Sequence, residues 1–370
     1  MEFTVSKSEL VRELNLSQGV VEKKTTIPIL SNVLVETADD RIVLTATDLE
    51  LGIRCTCPAR VTRPGAGTIP ARRLLDYVRL LPEADLSVKL QENHWATLLC
   101  GRSRTRIAGM SRESFPELPA MPEVLAQIPI KRLVSMIAKT VFAISAEESR
   151  FTLNGALLVL RNQGLAMVAT DGHRLSLVET TQEIPGIQGA YRALLPRKAM
   201  AELAKLAQDA ADDAQVLFSG DENHLYFQLG ERLLLSRKLT GNFPDYERVL
   251  PKDHPHQVLL PRDELRGAIE RVAQFSDDRS KAIRVQVAEG EIKIHSAVAE
   301  TGESEETLSV DYDGAAVEIG FNANYMLDFL RAVESEQVAF RFKDPHSAGE
   351  LRPSDDANFV YRYVIMPMRI

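Results

Sequence analysis

Val168-Ala-Thr-Asp-Gly-His-Arg-Leu175 is the stretch on which the reading of this chain turns. Leu165 to Ala169 is apolar and β-prone, and Asp171-Gly172 is a turn signal, because Gly accepts the positive φ of a tight reversal. A second apolar run follows, with Leu175, Leu177 and Val178, so the spacing predicts a hairpin carrying His173 and Arg174 at its rim. An Asp beside a His admits a hydrolase reading, with Asp171 orienting His173 as a general base, although the chain has no G-x-S-x-G nucleophile elbow. The other reading is structural: Asp171 caps the turn, His173 is half-buried, and the apolar side chains around them form a groove or simply core. Recurrence of the motif separates the two.

It recurs in Thr45-Ala-Thr-Asp48-Leu-Glu-Leu51, 123 residues earlier, which makes the turn a scaffold feature. Other signals keep the same phase. Ser8-Glu9-Leu10-Val11, Ile130-Lys131-Arg132-Leu133-Val134 and Arg262-Asp263-Glu264-Leu265 each open an amphipathic helix, followed by strand-like alternation. Second helices start at Pro70, Pro196 and Asn322, each 126 residues from the next. Three units of about 120 residues, each helix, strands, helix, strands, define an α+β class in which helices cover one face of antiparallel sheets. Proline-spaced segments place the domains at 1–121, 128–249 and 250–370. Gly172-His173-Arg174 stands where the first copy has Leu49-Glu50, which reads as an insert and marks the second copy as specialised. The third repeat has Ile294-His-Ser-Ala297 and an acidic run from Glu300 to Glu306 instead.

With 370 residues, 45% hydrophobic and 26% charged, the chain suits two or three soluble modules. It lacks the ~18 uninterrupted apolar residues of a membrane helix, and its first residues lack signal-peptide character, so no membrane partner and a cytoplasmic location are expected. Cys55, Cys57 and Cys100 form no C-x-x-C pair, and His254-Pro-His256 has no third ligand nearby, so neither a metal site nor a cofactor is expected. Phosphate-loop, dinucleotide and H-E-x-x-H motifs are also missing.

The net charge of −8 lies in the last third, where 22 acidic residues face 14 basic ones; the first two thirds balance. Such a chain is not built to grip nucleic acid tightly by its phosphates. Basic positions do recur on the repeated helices: Arg72, Arg73 and Arg79 in the first unit, and Lys131, Arg132, Lys139, Arg197, Lys198 and Lys205 in the second. If equivalent helices face one space, that space is basic although the chain is acidic.

Lys24-Thr-Thr-Ile-Pro-Ile-Leu30, Ala46-Thr-Asp48-Leu-Glu50, Leu153-Asn-Gly155, Ala169-Thr-Asp-Gly-His-Arg-Leu175, Phe243-Pro-Asp-Tyr246 and Tyr363-Val-Ile-Met-Pro-Met-Arg-Ile370 together resemble the bacterial DNA polymerase III β subunit, the sliding clamp. The resemblance runs from Met1 to Ile370. It implies three similar domains, with helices lining a central channel, antiparallel sheets outside and a head-to-tail dimeric ring around duplex DNA. It also implies a processivity function with no catalysis and no cofactor, exercised in the cytoplasm at the nucleoid. Partners implied are double-stranded DNA, encircled regardless of sequence, and the polymerase III core, clamp loader, other polymerases and repair proteins, docked through short linear peptides.

Carried onto this sequence, the peptide groove is Leu153, Gly155, Thr170, Gly172, His173, Arg174, Leu175, Pro244, Arg248, Val249, Val364, Ile365, Met366, Pro367, Met368, Arg369 and Ile370, with His173 and Arg174 as a polar rim. DNA-facing positions are Lys24, Arg72, Arg73, Arg150, Phe151, Thr152, Arg197 and Lys198. For the dimer seam, Arg102, Arg104 and Arg106 alternate and so share a strand face, to meet Glu300 and Glu303 around an apolar centre that includes Phe275. Two readings stay open beside this one: a hydrolase using Asp171 and His173, and a repeat scaffold that binds peptides without encircling DNA.

Overall fold

The computed structural model describes residues 1–21, 26–180, 182–184, 187, 189–299 and 302–369. Lys24, Glu300 and Ile370 therefore lie outside the described residues. Among those described, six α-helices occur in pairs: α1 (Lys7–Val20) and α2 (Ala71–Leu80), α3 (Ile130–Thr140) and α4 (Arg197–Leu206), α5 (Arg262–Val272) and α6 (Ala323–Ala332). The second helix of each pair begins 126 residues after the last, as the sequence spacing predicts. Leu74, Leu75 and Val78 bury one face of α2 while Arg72, Arg73 and Arg79 stay exposed. On α6, Asn322 caps the N-terminus by accepting from the N–H groups of Asn324 and Tyr325.

The chain forms two compact units, residues 1–134 with 198–238, and residues 135–197 with 239–370. Their cores cut across the middle repeat because hydrogen-bonded ladders run across repeat boundaries. In the first unit, Leu51–Arg63 pairs antiparallel with Arg232–Arg237 inside a twelve-stranded sheet. In the second, Arg174–Glu179 pairs with Val360–Ile365 inside an eight-stranded sheet, beside a separate four-stranded one. α1 packs on α2 in the first unit and α5 on α6 in the second.

A buried ion pair stitches α1 to this ladder. Arg232 donates to both oxygens of Glu13, at 2.9 and 2.6 Å, and Glu13 is 1% exposed. Burial pushes the Glu13 carboxyl up, but Arg232 and Arg12 more than offset it and hold it below the usual carboxylate range.

The two Thr-Asp turns are built alike. Asp48 accepts from the N–H groups of Glu50 and Leu51, and Asp171 from those of His173 and Arg174. The Thr47 hydroxyl donates to the Leu51 carbonyl, and the Thr170 hydroxyl to the Arg174 carbonyl. Thr47 faces Gly52 and Thr170 faces Leu175, the same register shifted by 123 residues. Gly172-His173-Arg174 is therefore not an insert, contrary to the sequence reading. Gly172 replaces Leu49, both at positive φ (91° and 78°), and Arg174 replaces Leu51 in a turn of unchanged length.

Candidate functional site: an apolar cleft beside the second Thr-Asp turn

Pairing of Arg174–Glu179 with Val360–Ile365 sets Leu175 opposite Val364, and both side chains are buried. Their face joins a core cluster with Leu157, Val168, Leu177, Leu194 and Tyr246. The short helical turn Tyr246–Arg248 closes one side by laying Tyr246 on this cluster. An apolar cleft of about 130 Å³ remains, lined by Leu153, Thr170, Gly172, Arg174, Leu175, Pro244, Tyr246, Val249, Val364 and Met366. Val249 and Met366 stay 42% and 45% exposed, far above Leu175 and Val364, so the mouth as well as the floor is apolar.

Nine of the expected groove residues are thus brought together. Gly155 is not among them: a Cβ there would lie 2.3 Å from the Leu195 carbonyl oxygen, so its lack of a side chain serves strand packing. Ile365 is buried on the opposite strand face from Val364. Arg248 is exposed and pairs with Asp245 at 2.8 Å. The Met366 N–H donates to the His173 carbonyl and the Met368 N–H to the Gly320 carbonyl. That second bond directs Pro367, Met368 and Arg369 into a different hollow with Glu318, Gly320, Pro345 and His346. Tyr246 is the lining residue that the sequence reading left out, although it closes the quoted Phe243-Pro-Asp-Tyr246 motif.

Arg174 is not a polar rim residue. Its side chain is only 9% exposed and its guanidinium is clamped from several sides. It donates to Asp171 at 3.0 Å, Asp328 at 2.6 Å, the Phe142 carbonyl at 2.5 Å and the Tyr363 hydroxyl at 3.5 Å, and it stacks over Tyr325 at 4.4 Å. Burial penalises its charge, yet Tyr363, Asp328 and Asp171 hold its pKa above the usual guanidinium range. His173 is exposed rather than half-buried, because the turn projects it away from the cluster under Leu175, and its ring makes no hydrogen bond to a described residue. Since Asp171 is engaged by two backbone N–H groups and Arg174, it does not orient His173 as a base would need.

Of the remaining expected site residues, Arg72 is exposed beside Asp76 at 3.7 Å, Arg73 is exposed, and Phe151 is 70% exposed. Thr152 lies in the same short turn as Phe151. Three others are engaged inside the chain: Arg150 with Glu147 and the Asp171 carbonyl, Arg197 with the Ile144 carbonyl, and Lys198 with Asp48 and the Val20 carbonyl. Arg104 and Arg106 project from Ser103–Ala108, a terminal strand of its sheet. Arg102 sits in the preceding turn, so the expected three-arginine face shrinks to two. Glu303 is exposed on the terminal strand Gly302–Ser309, and Phe275 is half-buried near that strand's first residue.

Repeated α+β modules joined through their sheets, with an apolar cleft beside the second Thr-Asp turn, are the architecture of a repeat-built clamp. The chain belongs to the DNA polymerase III beta subunit family, matching its N-terminal domain over residues 1–119, its central domain over 127–245 and its C-terminal domain over 247–369. It is 36% identical to the beta sliding clamp of Pseudomonas putida, over all of both chains. The clamp of Chlamydia muridarum is 34% identical, over 100% of this chain and 99% of that one. Among solved structures, the DNA polymerase III subunit beta of Pseudomonas aeruginosa superposes with a TM-score of 0.94 at 35% identity, covering both chains fully. The Bacillus subtilis clamp gives 0.94 at 28% identity. The fold is the three-domain sliding-clamp fold, and the function is that of a non-catalytic processivity clamp for DNA replication.

Proposed function

We propose that two copies of this chain close head to tail into a ring around duplex DNA. Its apolar cleft then docks short peptides of the polymerase III core, the clamp loader, other polymerases and repair proteins. The supporting observation is a rule of strand pairing. In each sheet junction within the chain, the strand after a Thr-Asp turn pairs with the last strand of the following repeat: Leu51 faces Ser236 and Arg174 faces Ile365. Both partner and register are repeated.

One strand of each kind is left over. Matching hairpin registers make Glu303 the counterpart of Leu175, and Ser103 the counterpart of Arg232. Gly302–Ser309 and Ser103–Ala108 are therefore the strands without their junction, and each is terminal in its sheet. A second copy supplies both missing partners, and a heterologous contact of this kind closes a ring when its rotation allows. The rule sets Glu303 opposite the partner's Arg106 and Glu305 opposite the partner's Arg104, with Phe275 near the end of the seam.

Exposed pairs contribute about 0–1 kcal/mol each, so they serve register and association rate more than affinity. Arg104→Glu should weaken the dimer about 3- to 10-fold by analytical ultracentrifugation at low salt, and adding Glu305→Arg in the same chain should restore it. A dimer indifferent to both changes and to salt excludes this register.

A ring needs only a loose basic lining, which suits exposed Arg72 and Arg73 on an acidic chain, because a topological link must slide. Such a protein works at the nucleoid in the cytoplasm. The decisive test is retention after loading: the protein should stay on nicked circular DNA and run off the same DNA once linearised. Equal loss from both forms would leave a peptide-binding scaffold that does not encircle.

A further inference from the structure

We propose that a basic cavity adjoining the cleft receives acidic side chains flanking the apolar anchor of a docked peptide, an inference that rests on the cleft being a peptide site. The cavity, of about 620 Å³, lies between the linker 245–254 and the strands Gln337–Phe342, Gly349–Pro353 and Val360–Ile365. Arg248, Lys252, Arg341, Arg352 and Arg362 line it, against Asp245 and Glu247.

Its charges are unevenly matched. Arg248 is taken by Asp245. Behind the lining sits Glu350, without exposed surface, which serves three arginines at once. Arg352 reaches it with two hydrogen bonds, at 3.0 and 3.2 Å, Arg362 with one, and Arg341 only at 3.8 Å. The His254 ring also faces Glu350, at 3.3 Å. Two donors are left over. Lys252 is exposed and makes no ion pair with a described residue, and the Arg341 side chain, 29% exposed, reaches Glu350 only at 3.8 Å. A carboxylate entering the cavity meets the exposed ammonium of Lys252 and the exposed part of the Arg341 side chain, whose nearest acid, Glu350, is already held by Arg352 and Arg362, and so gains charge-assisted contacts that no acidic group within the chain supplies among the described residues.

The occupant follows from continuity with the cleft. Val249 lines the cleft while its neighbours Arg248 and Leu250 line the cavity. Val364 floors the cleft, and Arg362, two residues earlier on the same strand face, lines the cavity. A peptide anchored in the cleft therefore holds its flanking residues at the cavity at high local concentration, which neither a free anion nor a distant phosphate matches.

The test uses the full chain and three fluorescein-labelled peptides with the same leucine–phenylalanine anchor. One has serine on both flanks, one three aspartates before the anchor, and one three aspartates after it. By anisotropy at ~50 mM salt, one aspartate peptide should bind about tenfold tighter than the serine peptide. Lys252→Glu should abolish that advantage and leave the serine peptide's affinity unchanged. Aspartate flanks that give no advantage, or an advantage that survives Lys252→Glu, overturn the proposal while the cleft reading stands. If a short DNA duplex erases the advantage without displacing the peptide, the cavity belongs to phosphates and the proposal is wrong. A serine peptide that fails to bind at all overturns the cleft reading, and this inference with it.

Discussion

Arg174→Ala should lower the thermal unfolding midpoint of the chain by about 6–12 °C, the shift expected when a buried ionic network loses its cation at about 3 kcal/mol in a unit of this size. The guanidinium joins the Thr-Asp turn to α6 through Asp328 and to the Phe142 carbonyl, and stacks on Tyr325. Alanine leaves Asp328 without its 2.6 Å partner and opens a void under the cleft. Arg174→Lys should recover only part of the loss, because an ammonium cannot serve four acceptors or stack as a planar fork does. His173→Ala is the control next door: exposed and without a side-chain hydrogen bond to a described residue, it should change stability by no more than about 0.5 kcal/mol. Calorimetry on the three variants checks this, and equal melting of the Arg174 and His173 alanine variants would show that the network carries no stability.

Removing residues 366–370 should weaken peptide binding more than about 100-fold while leaving the dimer intact. Met366 is a half-exposed wall of the cleft, and its N–H bonds the His173 carbonyl, so the tail both lines the site and pins the turn. Losing a methionine wall and the order it imposes costs on the order of 3 kcal/mol of contact. Val360–Ile365 keeps its ladder to Arg174–Glu179, and neither proposed seam strand is touched. Anisotropy with the serine-flanked peptide, together with sedimentation of the truncated protein, separates the two effects. Unchanged affinity would take the tail out of the site, and a monomer would place it in the seam.

Much of this was legible before folding, for local reasons. Buried helix faces recur with a period near 3.6, and a Thr-Asp turn needs only its own five residues, so α2, α4 and α6 and both turns could be located from spacing and residue type. The repeat spacing exposed the three-unit architecture. Where the reading failed, the deciding partners were remote. Arg174 looks like a rim residue in a hairpin, yet it is buried by Asp328 and Tyr363, 154 and 189 residues away. Gly155 sits within a quoted motif but answers to the Leu195 carbonyl on a neighbouring strand. Arg102 obeys the alternation of Arg104 and Arg106, but the strand starts one residue too late to include it.

The repeat, the helix starts, the two turns and the family likeness are written in the order of residues, because each rests on short-range patterns that hydrogen bonding and burial impose on consecutive positions. Which side chains face a cavity, and which charges are already paired, depends instead on contacts between residues far apart in the chain. Antiparallel ladders between different repeats bring Leu175 to Val364, and the packing around them gathers Arg341, Arg352 and Arg362 around Glu350. No periodicity in a single chain records such a meeting.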